Sequence, residues 1–528
     1  METPDDLFHR LEQLNDIGAS LSNERNLELL LEKILLAAKA ITRADGGTLY
    51  LLSEARQHLH FEIVRTDSLR IAFGGSTAQP TSGQFPDLPL YKDDGLPNNS
   101  LVACYAALTG RTVNIADAYK AEGFDFSGTR RFDERTGYRS QSFLTVPMKN
   151  HEGEIIGVLQ LINALSSEGG KVVEFSQADQ RLAESLASQA AIALTNRQLV
   201  QQLETLFESF ITMINLAIDE KSPYTGGHCQ RVPALTMMLA DAVDAADSGP
   251  LAGFRLSDKD RYELRIAALM HDCGKITTPV HIVDKATKLQ TIYDRIHLVD
   301  TRFEVVKRDA EVRKWRSIAE GMAAAEADAV YLAFCRQCDA DREFLRQANI
   351  GGERMSDEAI ARVRQIAESY RWRDETGADA VFLSANEVDN LTIRAGTLTP
   401  AERETINYHI VATIKMLEHL PWPKHLKNVP EYAGGHHERM DGKGYPKGLK
   451  REQMSWQARM MGISDIFEAL TAKDRPYKEG MKLSQALKIL ENFRNNGHID
   501  PDLHEIFVRS EVYRKYAASY MGAQQIDC

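Results

Sequence analysis

The sequence predicts a multidomain chain that opens with an α+β domain and runs through a long helix into a region with helical signals. Three observations carry this. Short segments with strand-like alternation lie within residues 1–190, a seam of apolar residues in steps of four and three follows them, and Leu264–Met270 and Ile296–Val306 have helical apolar spacing. At 528 residues, two or three domains are expected.

In chain order, Leu7, Leu11, Leu14, Gly18 and Leu21 give a helical stripe, and Leu29 to Ile41 reads as a second helix. Alternation then marks Gly47–Leu52 and His58–Val64 as strands. Ser142–Met148 and Ile155–Ile162 read as two more, joined by a hairpin turn at His151-Glu152-Gly153. Ser176 and Asp179 resemble a capping box that opens a long helix. Helices, an antiparallel sheet and a closing helix make residues 1–190 an α+β domain. A helical linker follows over 191–222, where Leu199, Leu203, Leu206, Phe210, Met213 and Ala217 have the spacing of a coiled-coil seam, so a homodimer paired along this helix is expected.

Composition narrows the function. Hydrophobic residues make up 43% of the chain, enough for packed cores, and 63 basic against 75 acidic residues give a net charge of −12, which argues against general nucleic-acid binding. The six scattered cysteines suit a reducing compartment. Met1–Asp6 is acidic, and no apolar run reaches the ~18 residues of a membrane span, so a cytoplasmic protein with no membrane segment is expected.

Two clusters carry chemistry. Gly434–Gly448 reads Gly-Gly-His-His-Glu-Arg-Met-Asp-Gly-Lys-Gly-Tyr-Pro-Lys-Gly. Adjacent imidazoles suit neither a core nor an exposed helix face, but they suit a backbone that curls around a metal. Gly442, Gly444 and Pro446 fit a sharp loop that returns Asp441 and Tyr445 toward it. Upstream, the apolar helix Leu264–Met270 ends in His271-Asp272-Cys273-Gly274-Lys275, with Gly274 as its stop. Neutral imidazole and a carboxylate able to bridge two cations suit a dinuclear site, and Lys275 supplies a cation for substrate phosphate. His228, His409 and Asp465 are further candidates.

Together these motifs resemble the HD-GYP family, a branch of the HD phosphohydrolases. The matching residues are Tyr224–His228, His271–Lys275, Thr399-Pro400-Ala401-Glu402 with His409, His436-His437-Glu438 through Asp441–Pro446, Asp465, and Arg475-Pro476-Tyr477-Lys478. The resemblance implies an all-α domain over 223–520 that hydrolyses cyclic di-GMP to pGpG or GMP. It implies the metal ligands His228, His271, Asp272, His409, His436, His437 and Asp465, with Asp272 as the bridge. It also places Lys275, Arg475 and Lys478 as phosphate-binding cations, and Tyr445 in a loop tied to substrate contact or to docking of diguanylate cyclases. A phosphodiester is anionic and resists attack, so the nucleophile is read as a metal-bridging hydroxide, with Asp272 and Lys275 as the catalytic residues. Iron or manganese fits this His-rich set better than magnesium. Tyr224 stands where some members carry a third-metal Glu, so two divalent metal ions are expected. Three other readings stay open: hydrolysis of another cyclic dinucleotide such as cyclic GMP-AMP, a non-catalytic signalling scaffold, and a di-iron oxygenase.

The chain departs from the family at about 290–396, an insertion rich in Ala, Glu and Arg that reads as two or more helices. The stretch Ile292, Ile296, Val299, Phe303 and Val306 suggests packing on the catalytic core. Cys335 and Cys338 read as helix cysteines rather than a metal pair, and Arg371-Trp372-Arg373 as a solvated face.

Residues 1–190 resemble a GAF sensor domain, on Val113–Tyr119 and Thr136–Arg139 above all, and GAF regulation of the catalytic domain is the expectation. Asn163, Phe175 and Asp179 match part of the signature of members that bind a small ligand such as a nucleotide. Ala164 and Gln180 replace its Lys and Glu.

Overall fold

A computed structural model describes residues 1–528 except 1–3, 25, 77–78, 82, 167–169, 222–226, 353, 375 and 474–479. The chain divides into two compact units, Met1–Phe207 and Glu208–Cys528.

The first unit starts with two helices, α1 (Pro4–Asn23) and α2 (Leu27–Thr42), the second capped by Asn26, whose side chain accepts from the Leu29 N–H. The strands are β1 (Ala44–Leu52), β2 (His58–Thr66), β3 (Ile71–Phe73), β4 (Leu88–Pro89), β5 (Val113–Ile115), β6 (Phe143–Lys149), β7 (Ile155–Leu165) and β8 (Val172–Val173). Helices α3 (Val102–Thr109) and α4 (Ser127–Thr136) lie between them in sequence. All pairings are antiparallel, in the order β3-β2-β1-β7-β6-β5, with β4 on β2 and β8 on β7.

The two strand pairs expected from alternation are β1–β2 and β6–β7. Period two lets β1 serve two cores. Leu49 packs with Ile34, Leu35, Leu186 and Ala190, while its neighbour Tyr50 packs with Leu59, Cys104 and Val158. Both faces of the sheet are therefore covered. The closing helix α5 (Gln177–Lys221) starts at the expected cap: Ser176 Oγ accepts from the Asp179 N–H and the Asp179 carboxylate accepts from the Ser176 N–H. On α5, Leu199, Leu203, Leu206, Phe210 and Met213 are 46–65% exposed, so among the described residues their seam has no covering partner.

Among the described residues, the second unit is built of helices apart from one small hairpin. Its helices are α6 (His228–Asp244), α7 (Asp258–Met270), α8 (Val280–Val283), α9 (Ile296–Ala319), α10 (Ala324–Asn349), α11 (Asp357–Ser369), α12 (Ala385–Leu391), α13 (Pro400–Glu418), α14 (Val429–Gly434), α15 (Trp456–Thr471), α16 (Leu483–Asn495), α17 (Pro501–Arg509) and α18 (Val512–Tyr520). Among the described residues, no helix is long and apolar enough to cross a membrane.

The segment 290–396 corrects one expectation. Val299, Phe303 and Val306 pack with Leu345, Val363, Tyr370 and Phe382 in a core of the insertion's own, and Ile292 is 96% exposed. The helical spacing marks a buried face, but it does not say which partner covers it. Arg371-Trp372-Arg373 exposes both arginines, as a solvated face should, and forms strand β9 of a hairpin with β10 (Asp379–Val381), with the Arg302 guanidinium 5.4 Å from the Trp372 ring. A three-residue strand is too short to show a period. Cys338 is buried and Cys335 partly so, both as free thiols.

The insertion returns to the rest of the unit through Lys285. Its buried ammonium donates to Asn390 at the end of the insertion and to Glu402, which also closes the Thr399 capping box of α13.

Candidate metal centre

Five elements bring the candidate ligands together. His228 is the first residue of α6, His271 caps α7 with Asp272 next to it, His409 lies within α13, His436 and His437 follow α14, and Asp465 sits on α15. The turn Cys273–Thr277 lies flush against α13. A Cβ on Gly274 would come within 2.0 Å of the His409 carbonyl oxygen, so only glycine allows this approach, and the Gly274 N–H donates to Thr413 Oγ1.

Three of the histidines share one device. His271, His409 and His436 each place Nδ1 at 2.5–2.7 Å from the carbonyl oxygen three residues earlier, that of Ala268, Ile406 and Ala433 respectively. Nδ1–H donates, which leaves the Nε2 lone pair to face the cluster. His228 is held differently: its Nδ1 lies 2.6 Å from Glu468 Oε2, and Arg231 Nε donates to the other oxygen of that carboxylate.

The Nε2 atoms converge on Asp272. His228 and His271 lie 3.0 and 3.2 Å from Oδ2, and His409 lies 3.2 Å from Oδ1. His437 Nε2 faces His409 Nε2 at 3.2 Å. Asp465 Oδ1 lies 3.4 Å from His228 Nε2 and 3.9 Å from His271 Nε2. Two groups of donor atoms that could each hold a metal ion therefore overlap at Asp272: one with His409, His436 and His437, the other with His228 and His271. Among the described residues, His271 Nε2, His436 Nε2 and Asp272 Oδ1 are buried and make no hydrogen bond. Acceptor atoms aimed at one another in a buried space fit a cation between them.

Electrostatics agree with that fit. Burial opposes charge on Asp272, yet the Lys275 ammonium holds its carboxyl well below the usual carboxylate range. Burial pushes His436 down to about 4, and it pushes His437 well below the ordinary histidine value. Neutral imidazoles are the form that binds metal. His228 goes the other way: burial disfavours its charge, but Glu468 and Asp272 lift it to about 9. Lys275 Nζ donates to Asp272 Oδ2 at 2.5 Å, and Asp272 and Asp465 outweigh burial to keep the ammonium charged.

The glycine-rich loop returns Tyr445 as expected, with its ring stacked on His437 at 4.8 Å and 22°. Asp441 does not return to the cluster; it accepts from Arg439 and from the Lys443 N–H, and its own N–H donates to the Gly497 carbonyl. Glu438 pins the loop by accepting from the N–H groups of Lys447 and Leu449. Arg475, Lys478 and Tyr224 lie outside the described residues.

Sequence reasoning missed Glu468 and Arg231. The available signal was helical spacing, since Glu468 is three residues after Asp465 and Arg231 three after His228.

In the first unit, the candidate ligand residues are engaged internally. Asn163 accepts from the Gln141 and Ser142 N–H groups and donates to the Arg139 carbonyl, Phe175 is in the core, and Asp179 caps α5 and pairs with Arg10.

The GAF domain family model matches residues 26–194, and two HD domain models match residues 225–340 and 354–503. The chain is 45% identical over 122 residues to a cyclic di-GMP phosphodiesterase of Pseudomonas aeruginosa, covering 23% of this chain and 28% of that protein. It is 24% identical over 299 residues to 3'3'-cGAMP-specific phosphodiesterase 3 of Vibrio cholerae, covering 57% and 38%. The alignments thus span less than two fifths of either relative's length. Among solved structures, the GAF domain of an Acinetobacter phosphoenolpyruvate-protein phosphotransferase is 18% identical with a TM-score of 0.27, over 38% of this chain and 99% of that one. The chain carries a GAF domain and, after it, an HD domain.

Proposed function

We propose that the second unit is a metal-dependent phosphodiesterase of the HD-GYP type that cleaves cyclic di-GMP, with His228, His271, Asp272, His409, His436, His437 and Asp465 as ligands of two iron or manganese ions. The observation that carries this reading is the convergence of histidine Nε2 atoms on one shared carboxylate, with Lys275 beside it. When bound, divalent cations would lower the pKa of water from 15.7 toward about 7 and absorb charge on the phosphate.

The chain's own residues prepare the rest. Carbonyl partners fix three imidazole tautomers before any ligand arrives, and Glu468 orients the fourth. Lys275 keeps Asp272 anionic and offers a cation to the phosphate that replaces water. Tyr445 covers His437 and walls one side of the adjoining cavity. Regulation by the GAF domain and a homodimer paired along α5 belong to the same proposal, and the exposed Leu203, Leu206 and Phe210 seam supports the pairing.

The Vibrio cholerae relative, which aligns over more of this chain than the Pseudomonas one, favours 3'3'-cGAMP as a second substrate to test. Full-length chain loaded with manganese or iron, or stripped by a chelator, is incubated with each dinucleotide, and the products are separated by chromatography. Metal-dependent release of pGpG or GMP from cyclic di-GMP is expected. Turnover of cGAMP alone would change the substrate, and no product from either would contradict the proposal.

A further inference from the structure

Beside the histidine cluster lies a cavity of about 530 Å³, within the ~300–1,000 Å³ range of small-molecule sites. His437 and Asp465 belong to both the cavity wall and the cluster. Phe493, His498 and Lys443 also line the cavity but take no part in the cluster. A cyclic dinucleotide has two phosphodiesters and two bases in one ring, so when one phosphodiester is at the cluster the other half must be held by groups outside it.

We infer that Phe493, His498 and Lys443 form the subsite for the half of a cyclic dinucleotide that is not being cleaved, with a base packed on the aromatic pair and the second phosphate facing the lysine. This rests on the phosphodiesterase reading above. Phe493 is on α16, and the chain turns back at Gly497, where φ is +68°, so that the His498 N–H donates to the Phe493 carbonyl oxygen at 2.8 Å. The two rings lie 4.5 Å apart at 31°. Both are half-buried, so each keeps some surface open. Aromatic faces of this kind stack bases regardless of sequence.

The charge is also suitable. The Lys443 ammonium is 3.8 Å from Asp441 and its side chain is 78% exposed, while Arg439 donates to the same carboxylate. Arg439 and Lys443 both line the cavity and share the single carboxylate of Asp441, which leaves one cation over for a phosphate on a chain whose net charge is −12. Mononucleotides or short acidic peptides would use the cation but would not need both the cluster and the aromatic pair at once.

Equilibrium dialysis of cyclic di-GMP against the chelator-treated full-length chain reads binding without turnover. Phe493→Ala should weaken binding about ten-fold and Lys443→Ala about three-fold. Phe493→Leu, which fills the same space without a flat ring, should also weaken it and guards against a simple packing defect. Dissociation constants within two-fold of the unmodified chain for both Phe493 variants would overturn the subsite, as would no measurable binding by the unmodified chain. Phe493-dependent binding in a metal-loaded chain that hydrolyses nothing would keep the subsite and remove the phosphodiesterase reading.

Discussion

Asn163 in the GAF domain and His271 in the HD domain are both almost wholly buried, yet their polar atoms end differently. Asn163 uses its oxygen for two N–H groups and its amide for a carbonyl. His271 satisfies Nδ1 and leaves Nε2 without a hydrogen bond, beside Asp272 Oδ1 and His436 Nε2 in the same condition. A buried polar group that is fully partnered holds the fold together. Several that are not, aimed at one point, fit a ligand they are built to take. The contrast separates two sets of candidate residues that looked alike in sequence, where both were polar residues at motif positions.

The sharpest way to break this contrast is Asp272→Asn. An amide cannot bridge two cations as an anion, so metal content and cyclic di-GMP hydrolysis should both fall by more than the roughly 10–100-fold that a supporting partner costs. Retained activity with full metal occupancy would remove Asp272 from its proposed role.

Glu468→Gln tests the supporting layer. A glutamine amide can donate to His228 Nδ1 and would favour the tautomer that blocks Nε2. Metal affinity, measured by chelator competition, should weaken roughly 10–100-fold while the helical circular dichroism is kept. Unchanged affinity would make Glu468 a partner of Arg231 alone.

Asn163→Ala tests the other side of the comparison. It strands two N–H groups and puts alanine at a φ of +58°, so the free energy of local opening in the segment leading into β6 should drop by about 1–3 kcal/mol, read by amide exchange at Gln141 and Ser142. Metal content should stay that of the unmodified chain. A nucleotide that protects these amides would instead restore Asn163 as a ligand contact.

The smallest expected effect is one of pH. His228 is raised from 6.5 to about 9 in the metal-free chain, so its contribution to stability is fully present below about pH 6.5 and lost as pH rises through about 9. Metal must displace that proton, so metal affinity should increase over the same interval while metal-free Tm falls. A metal-free Tm that rises between these limits would show that the His228–Glu468 pair does not set the trend.

Much of this was legible because it is local. The Ser176–Asp179 cap, the β6–β7 hairpin and the Thr399–Glu402 cap depend on residues three to five apart, and the sequence states them directly. Convergence of the histidines was legible only through the resemblance, since His228 and Asp465 approach from positions far apart in the chain. The insertion hid its partner. Its buried stripe was visible in Val299, Phe303 and Val306, but the choice between a shared core and a separate one depends on Phe382 and Tyr370, which no spacing rule links to them. Strand β9 was unreadable at three residues, and Glu468 was overlooked because it binds through a histidine rather than standing in the motif itself.

The central claim is best tested by counting metal. Elemental analysis of the full-length chain, reconstituted with manganese or ferrous iron and desalted, should give two ions per chain, and close to none after Asp272→Asn. An unmodified chain that binds no metal would contradict the account of the unpaired histidine and aspartate atoms, and three tightly held ions would contradict the reading of Tyr224.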